Sequence, residues 1–195
     1  MEFFQKVYDK VITDLEQGLP PWLTYHNANH TRYVLQKAEE IAKEENVFGQ
    51  DLLLVKVAAL YHDTGFLKDR PDHEKLSCEI FIKDFKVSHF SPVEKEKICK
   101  IIKATKVPQN PNTLLEKIVA DADLEYLGTE LFNSFSRNLH REILHFEPDI
   151  KDRAWDELQI NFLSNHKYHT KFCKSKKELG KTEKSARSKR KVNGT

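Results

Sequence analysis

DLLLVKVAALYHDTG, residues 51–65, is the stretch that decides the fold. Apolar side chains fill almost every position before His62, which is typical of a helix enclosed by other helices at the centre of a bundle. The run then reaches an imidazole and a carboxylate, His62 and Asp63, and Gly65 ends the helix. The stretch predicts a bundle around a central helix. It leaves open whether the His-Asp pair is a polar helix end or part of a binding site.

The sequence on both sides of this stretch is also helical in pattern. Apolar residues recur at intervals of three and four, Gly is scarce, and strand-like alternation is nearly absent. We therefore expect an all-α protein of seven to eight helices. Two capping boxes, Ser91 to Glu94 and Thr113 to Glu116, mark the starts of the fifth and sixth helices. In order, the expected helices contain Leu15, Val34, Leu54, Phe81, Ile101, Val119, Leu139 and Leu163.

Length and charge indicate a single domain followed by a C-terminal segment that is more basic than the rest of the chain. A chain of 195 residues can close one sizeable hydrophobic core. The net charge of +2 is uneven, because the last twenty residues carry eight Lys and Arg against Glu178 and Glu183. We expect residues 1–175 to form the domain and residues 176–195 to form a basic, disordered tail. Nucleic acid is not an expected partner of this tail.

The composition also bears on the compartment. No stretch approaches the roughly 20 apolar residues of a membrane span, and the N-terminus is charged where a signal peptide is apolar. Cys78, Cys99 and Cys173 lack the spacing of a zinc motif or a disulfide framework. We expect a cytoplasmic protein that does not associate with membranes.

Ionisable residues interrupt three separate helical stretches. YHNANH holds His26 and His30 four residues apart, and IVADADLEYLG holds Asp121 and Asp123. The His pair alone favours neither a surface nor a functional interpretation. His62-Asp63 is more informative, because burying an ionised Asp without a partner costs several kcal/mol.

A salt bridge to Lys or Arg could satisfy one such group, but not three groups in one small bundle. Imidazole and carboxylate together suit Mn, Fe, Co, Ni or Zn, and carboxylate-rich sites also accept Mg. The three stretches together predict a metal site.

The order of these residues resembles the HD-domain metal-dependent phosphohydrolases, whose signature is a His, an adjacent His-Asp pair and a distal Asp. His30, His62, Asp63 and Asp121 match it, and YHNxxH, ALYHDTG and VADADL also look like the family over roughly residues 22–165. The resemblance implies an HD-type helical bundle in which these four residues bind a divalent metal ion.

The resemblance assigns further roles. Asp123 is a less certain ligand, as a substitute for Asp121 or as a partner of a ligand imidazole. His26 is similar to the residue that protonates the leaving oxygen in cyclic-nucleotide phosphodiesterases of the superfamily. His73 is similar to a residue that binds a second ion in two-metal members. The other His residues of those branches are missing from IIKATK, as is a GYP signature, so one ion per chain is expected.

A basic side chain is also expected near the metal, because a phosphate carries more charge than one divalent ion neutralises. Lys68 is our choice, and the residues expected to act in the reaction are then His26, Asp63 and Lys68. Tyr25 and Tyr61 are expected to line a nucleotide pocket. The other basic or polar candidates for phosphate contact are Arg70, Lys75, Thr105 and Lys106, and the aromatic residues Trp155 and Phe162 are interpreted as core.

Together these features predict hydrolysis of a small phosphoester, a nucleotide or cyclic nucleotide, by water that a metal ion activates. Two alternatives stay open. One is a di-iron oxygenase of the HD type, and the other is a regulatory module that binds a nucleotide without turnover. The sequence leaves the metal and any homo-oligomer undetermined.

Overall fold

The structure, a computed structural model, describes residues 2–86 and 89–193, which form ten α-helices, two short 3-10 helices and no strand. The all-α, single-domain prediction is confirmed, and the eight expected helices are α1 to α8. The 3-10 helices are Thr64–Leu67 and Glu125–Gly128. The α-helices are α1 Glu2–Gly18, α2 Ala28–Glu44, α3 Gly49–Tyr61, α4 His73–Asp84, α5 Pro92–Lys103, α6 Leu114–Asp123, α7 Phe132–Phe146, α8 Asp152–Asn165, α9 Lys171–Lys176 and α10 Glu178–Asn193.

Helix α3 lies at the centre of the bundle. It packs against α1, α2, α4, α5 and α6, and every residue from Val57 to Tyr61 is buried. A helix with neighbours on all sides needs apolar side chains all round, which is the pattern that the sequence shows. The last turn of α3 therefore delivers His62 and Asp63 into the interior rather than to the surface.

Local sequence signals determine where the helices next to this point begin and end. The side chain of Asn27 accepts hydrogen bonds from the backbone N–H groups of Asn29 and His30, at 2.9 and 3.3 Å, and so caps α2. His30 thus lies in the first turn of α2, and His26 lies on the loop before it. Both predicted capping boxes are present, at the starts of α5 and α6.

The chain turns sharply after α3, where it meets the start of α4. The hydroxyl of Ser77 donates to the carbonyl oxygen of His62 at 2.7 Å and accepts the N–H of Gly65 at 2.8 Å. A Cβ on Gly65 would lie 1.9 Å from the carbonyl oxygen of His73, so only Gly allows this approach. The turn holds the His-Asp pair against α4.

Most of the predicted disordered tail, residues 176–195, is helical, and residues 194–195 lie outside the described residues. Residues 178–193 form α10, which packs against α8, α9 and the 3-10 helix Glu125–Gly128. Three basic side chains of this region have partners that the local composition hides. Lys177 pairs with the buried Glu125, Lys184 with Glu130 at 3.0 Å, and Lys181 donates to the carbonyl oxygen of His166 at 2.5 Å.

Among the residues described, no helix combines the length and apolar character needed to cross a membrane.

Replacing Gly180 by Ala tests whether α10 is docked. In a free helix, Ala is better than Gly by about 1 kcal/mol. In the docked helix the new Cβ would lie 2.3 Å from the carbonyl oxygen of Gly128, so the two backbones must separate. We expect Gly180→Ala to lower the free energy of unfolding by about 2 kcal/mol, and the melting temperature by roughly 4–8 °C.

Thermal denaturation followed by circular dichroism measures this change. Glu183→Ala, on the exposed side of the same helix, is the matched control and should cause no loss. Equal or greater stability of Gly180→Ala would contradict the docking of α10.

Candidate metal centre

Four ionisable side chains meet where α2, α3 and α6 pack together. His30 comes from the first turn of α2, His62 and Asp63 follow the end of α3, and Asp123 is the last residue of α6. His30, His62 and Asp63 are buried, and Asp123 is nearly so. The mutual packing of the three helices brings residues that lie far apart in sequence into one polar cluster.

The ligand atoms of this cluster lie close to one another. The Nε2 atoms of His30 and His62 are 3.4 Å apart. Oδ1 of Asp123 lies 3.1 and 3.6 Å from them, and Oδ2 of Asp63 lies 3.4 and 3.0 Å from them. Atoms bound to one ion at about 2.1 Å are about 3.0 Å apart at right angles and about 3.4 Å apart at the tetrahedral angle. The observed spacing fits a single divalent ion.

Hydrogen bonding supports the same interpretation. Nδ1 of His62 donates to the carbonyl oxygen of Ala59 at 2.8 Å, which leaves the Nε2 lone pair for the cluster. Oδ2 of Asp63 is buried and accepts no hydrogen bond of good geometry, although Nε2 of His62 lies 3.0 Å from it. An ionised oxygen in that situation needs a cation beside it. His30, His62 and Asp123 form a group that could hold a metal ion, and Asp63 faces the same point.

The pKa values of the cluster reflect strong mutual attraction. Burial opposes the charged form of His62, but the carboxylates of Asp63 and Asp123 outweigh it and raise its pKa well above the ordinary value. Burial likewise disfavours ionised Asp63, yet the facing imidazoles lower its pKa. For Asp123 the same balance lowers the pKa to about 2. Protons and a metal ion therefore compete for these imidazoles, and acid should weaken metal binding.

Asp121, a predicted ligand, is not part of the cluster. Its Oδ1 accepts the N–H of His169 at 2.8 Å, and its Oδ2 accepts the N–H and the hydroxyl of Thr170 at 2.8 and 2.6 Å. Two residues apart on a helix, Asp121 and Asp123 point about 200° from each other, so only one can face the imidazoles. The structure brings Asp123 to the cluster, and Asp121 anchors the segment that leads into α9.

His26 lies next to the cluster and is held by a residue that the sequence did not single out. Its Nδ1 pairs with Oε1 of Glu142 on α7, whose Oε2 accepts the N–H groups of Tyr25 and His26 at 2.9 and 3.0 Å. Burial disfavours a charged His26, but Glu142 and the nearby Asp63 raise its pKa above the ordinary value. In the sequence, the only indication that Glu142 has a role is its position, since its carboxylate interrupts the apolar face of α7.

His73 lies on the far side of Asp63. Its Nε2 is 3.5 Å from Oδ1 of Asp63 and 3.5 Å from Oε1 of the buried Glu74. It therefore faces the carboxylate oxygen that the four-residue cluster leaves free, and it is a neighbour of the cluster rather than a member.

Lys68 does not lie beside the metal cluster, where the sequence predicts it to lie. It pairs with Glu79 at 3.3 Å, its side chain is half-exposed, and it does not line the cavity beside the cluster. The 3-10 helix Thr64–Leu67 turns the chain after Asp63, so Lys68 does not face the site. Arg70 and Lys106, which lie further along the chain, border the cavity.

The cavity has a volume of about 650 Å³ and begins at Asp63 and Asp123. Tyr25 lines it as predicted, but Tyr61 does not, because its ring is buried in the core and its hydroxyl donates to Asp84 at 2.9 Å. Trp155 and Phe162, interpreted from the sequence as core, pack in the bundle and also line the cavity.

The sequence matches the family model of the HD domain over residues 27–125, which is half of the chain and includes all four residues of the cluster. The chain belongs to the HD-domain family. The resemblance to that family is thereby confirmed, and it supports membership of a superfamily of metal-dependent hydrolases. No curated protein and no solved structure gives a significant match. Helices α7 and α8, with Glu142, lie beyond the matched HD-domain region.

The two Asp residues of α6 should respond differently to substitution. In Asp121→Asn an NH₂ group would replace an oxygen that accepts hydrogen bonds, so we expect the free energy of unfolding to fall by about 2–3 kcal/mol while metal content is unchanged. In Asp123→Asn we expect metal affinity to fall at least tenfold, with a smaller loss of stability in metal-free protein.

Elemental analysis and urea denaturation of both variants measure these effects. Loss of metal from Asp121→Asn, with normal metal content in Asp123→Asn, would show that Asp121 is the ligand, as the sequence predicts.

Proposed function

We propose that this HD-domain protein is a metal-dependent hydrolase of a small phosphoester. The observation that carries the proposal is the cluster of two imidazoles and two carboxylates, spaced for one ion, at the end of a cavity that also contains His26, Arg70 and Lys106. His30, His62, Asp63 and Asp123 would hold the ion. A divalent ion supplies Lewis acidity towards a phosphoryl oxygen and a nucleophilic water at neutral pH.

Residues of the chain would orient the ligand His62 and offset the charge of the phosphate. The carbonyl oxygen of Ala59 keeps His62 in the tautomer that presents Nε2 to the cluster. Arg70 replaces Lys68 as the basic group that offsets phosphate charge, because it lines the cavity. Lys106 also lines the cavity, but it pairs with Asp72 at 2.6 Å and would have to exchange that partner for the phosphate. The cluster is buried at the cavity end, where electrostatic attraction is stronger than in water.

His26 is the proposed proton donor to the leaving oxygen. Glu142 holds its Nδ1, so Nε2 is the nitrogen available to transfer a proton. The raised pKa keeps His26 protonated to higher pH than a free imidazole, as a general acid at neutral pH requires. Glu142 is a positioning residue, because it acts through His26.

Nucleotides and cyclic nucleotides are the first substrates to test, as the sequence predicts. The di-iron oxygenase would need a second ion held beside the outer oxygen of Asp63. Among the residues described, His73 is the one imidazole with an ion-pair contact to that oxygen, so this alternative predicts two irons per chain. A regulatory module predicts nucleotide binding with no turnover.

Removing and restoring the metal tests the proposed function. Protein stripped with a chelator should release no phosphate from a panel of nucleotides, alkyl phosphates and sugar phosphates. Refilling with Mn, Co, Ni, Mg, Zn or Fe(II) in separate samples should restore release with at least one ion, at one ion per chain. Phosphate assay with parallel elemental analysis gives both numbers. Refilled protein that is inactive on the whole panel would contradict the proposal.

Substitution of His26 and Glu142 tests the proton donor. We expect His26→Gln to lower kcat about 10²–10⁴-fold for esters with a poor leaving group, and much less for p-nitrophenyl phosphate, whose leaving group needs no proton. Glu142→Gln removes the group that raises the pKa of His26, so activity should be lost at lower pH than in wild type as pH rises.

The pH profile of kcat and the metal content of each variant are the measurements. If both ester types lose activity equally, or metal content falls in parallel, then His26 binds the metal rather than donating a proton.

A further inference from the structure

The cavity beside the metal centre has two chemically different walls. The end formed by the metal cluster is polar and charged, and Arg70 and Lys106 also line the cavity. The wall formed by α7 and α8 is apolar, and its residues include Leu139, Ile143, Trp155, Leu158, Phe162 and Leu163. A phosphate would fill only a small part of the 650 Å³, which falls within the range of pockets that enclose whole small molecules.

The two apolar helix faces are only partly buried by protein. Along α7 only Phe132 and Glu142 are buried, and along α8 only Trp155 and Leu163. The two helices touch where the ring of His140 stacks on Trp155, with centroids 4.7 Å apart. The cavity opens beside this contact, and Leu158 is 52% exposed. An apolar surface that opens directly from a reaction centre is typical of a binding site for an apolar group.

Polar partners are scarce on this wall. Ser136 and Gln159 line it, and the amide of Gln159 donates to the hydroxyl of Ser136, which uses one hydrogen-bonding site of each. A sugar or a nucleobase bound here would leave several hydroxyl or amide groups without partners, at a cost of about 1–3 kcal/mol for each. An alkyl or aryl group has no hydrogen-bonding groups, so its binding carries no such penalty.

From these observations we infer that the group esterified to phosphate is apolar and of medium length, an alkyl or aryl chain that lies between α7 and α8. The inference deepens the proposed function and rests on it for its activity measurement. The phosphate end lies at the metal centre, where charge is complementary, and the apolar end occupies the continuous apolar wall. This wall lies beyond the matched HD-domain region, so it is a feature that membership of the family does not itself supply.

A homologous series of ligands tests the inference in two independent ways. The first arm measures kcat/KM for ethyl, butyl, hexyl and octyl phosphate, with AMP and glucose 6-phosphate for comparison. The second arm measures the dissociation constants of the matching n-alkylphosphonates, which cannot be hydrolysed, by calorimetry on metal-loaded protein. We expect both quantities to improve up to about fourfold for each added methylene, until the cavity is filled.

Two variants of α7 connect the effect to this wall. Ser136→Phe would place a large ring in the cavity, so octylphosphonate affinity should fall at least tenfold and the dependence on chain length should flatten. Ser134→Phe adds the same ring to the exposed side of the same helix and should keep the wild-type dependence. Ser134→Phe also reports any general effect of the ring on folding.

The outcomes separate the two proposals. Chain-length-dependent phosphonate binding without hydrolysis of any ester supports the apolar site and overturns the hydrolase. Hydrolysis in which AMP, glucose 6-phosphate or ethyl phosphate matches or exceeds octyl phosphate overturns the apolar site and keeps the hydrolase. Absence of phosphonate binding, or a chain-length dependence that Ser136→Phe leaves unchanged, also overturns the apolar site.

Discussion

The burial of Asp63 and Asp123 against the imidazoles of His30 and His62 is the constraint on which the rest of the structure depends. Two carboxylates removed from water cost several kcal/mol each unless cations face them. The imidazoles meet part of that need in the metal-free chain, as the lowered pKa of both carboxylic acids indicates. A divalent ion would meet it more fully, so metal binding and folding stability should be linked.

The surrounding structure holds these four side chains in place through backbone contacts. Asn27 determines where α2 begins and hence where His30 lies, and Ser77 connects the turn after His62 to α4. Asp121 connects α6 to the segment before α9. None of these groups contacts the proposed substrate. Each of these contacts determines where a helix ends or which of its sides faces the cluster. A shift of one residue in α2, α3 or α6 would therefore remove a ligand atom from the cluster.

The sequence predicted the features that depend on local pattern and failed on those that depend on distant partners. Helix periodicity and capping boxes are local, so the bundle and its central helix were predictable, whereas His30, His62 and Asp63 were implied by the resemblance to the HD signature. The choice between Asp121 and Asp123 depends on which side of α6 faces α2, and both fit the motif. Glu142 pairs with a residue 116 positions away. The composition of the C-terminal segment indicated disorder because Glu125 and Glu130, the acidic partners of Lys177 and Lys184, lie in another part of the chain.

The division between the matched HD-domain region and the helices beyond it has a chemical consequence. Residues 27–125 supply the proposed ligands, which suit any phosphoester, whereas α7 supplies part of the apolar wall and Glu142. One helix therefore influences two properties at once, namely which group fits the cavity and how strongly His26 holds its proton. An apolar ligand that displaces water from this wall would strengthen the attraction between His26 and Glu142, but it would also make the charged imidazole more costly. The two effects oppose each other, so the protonation of His26 depends on the close contact of its Nδ1 with Glu142. The same helix that shapes the cavity therefore also holds the proton on the proposed acid.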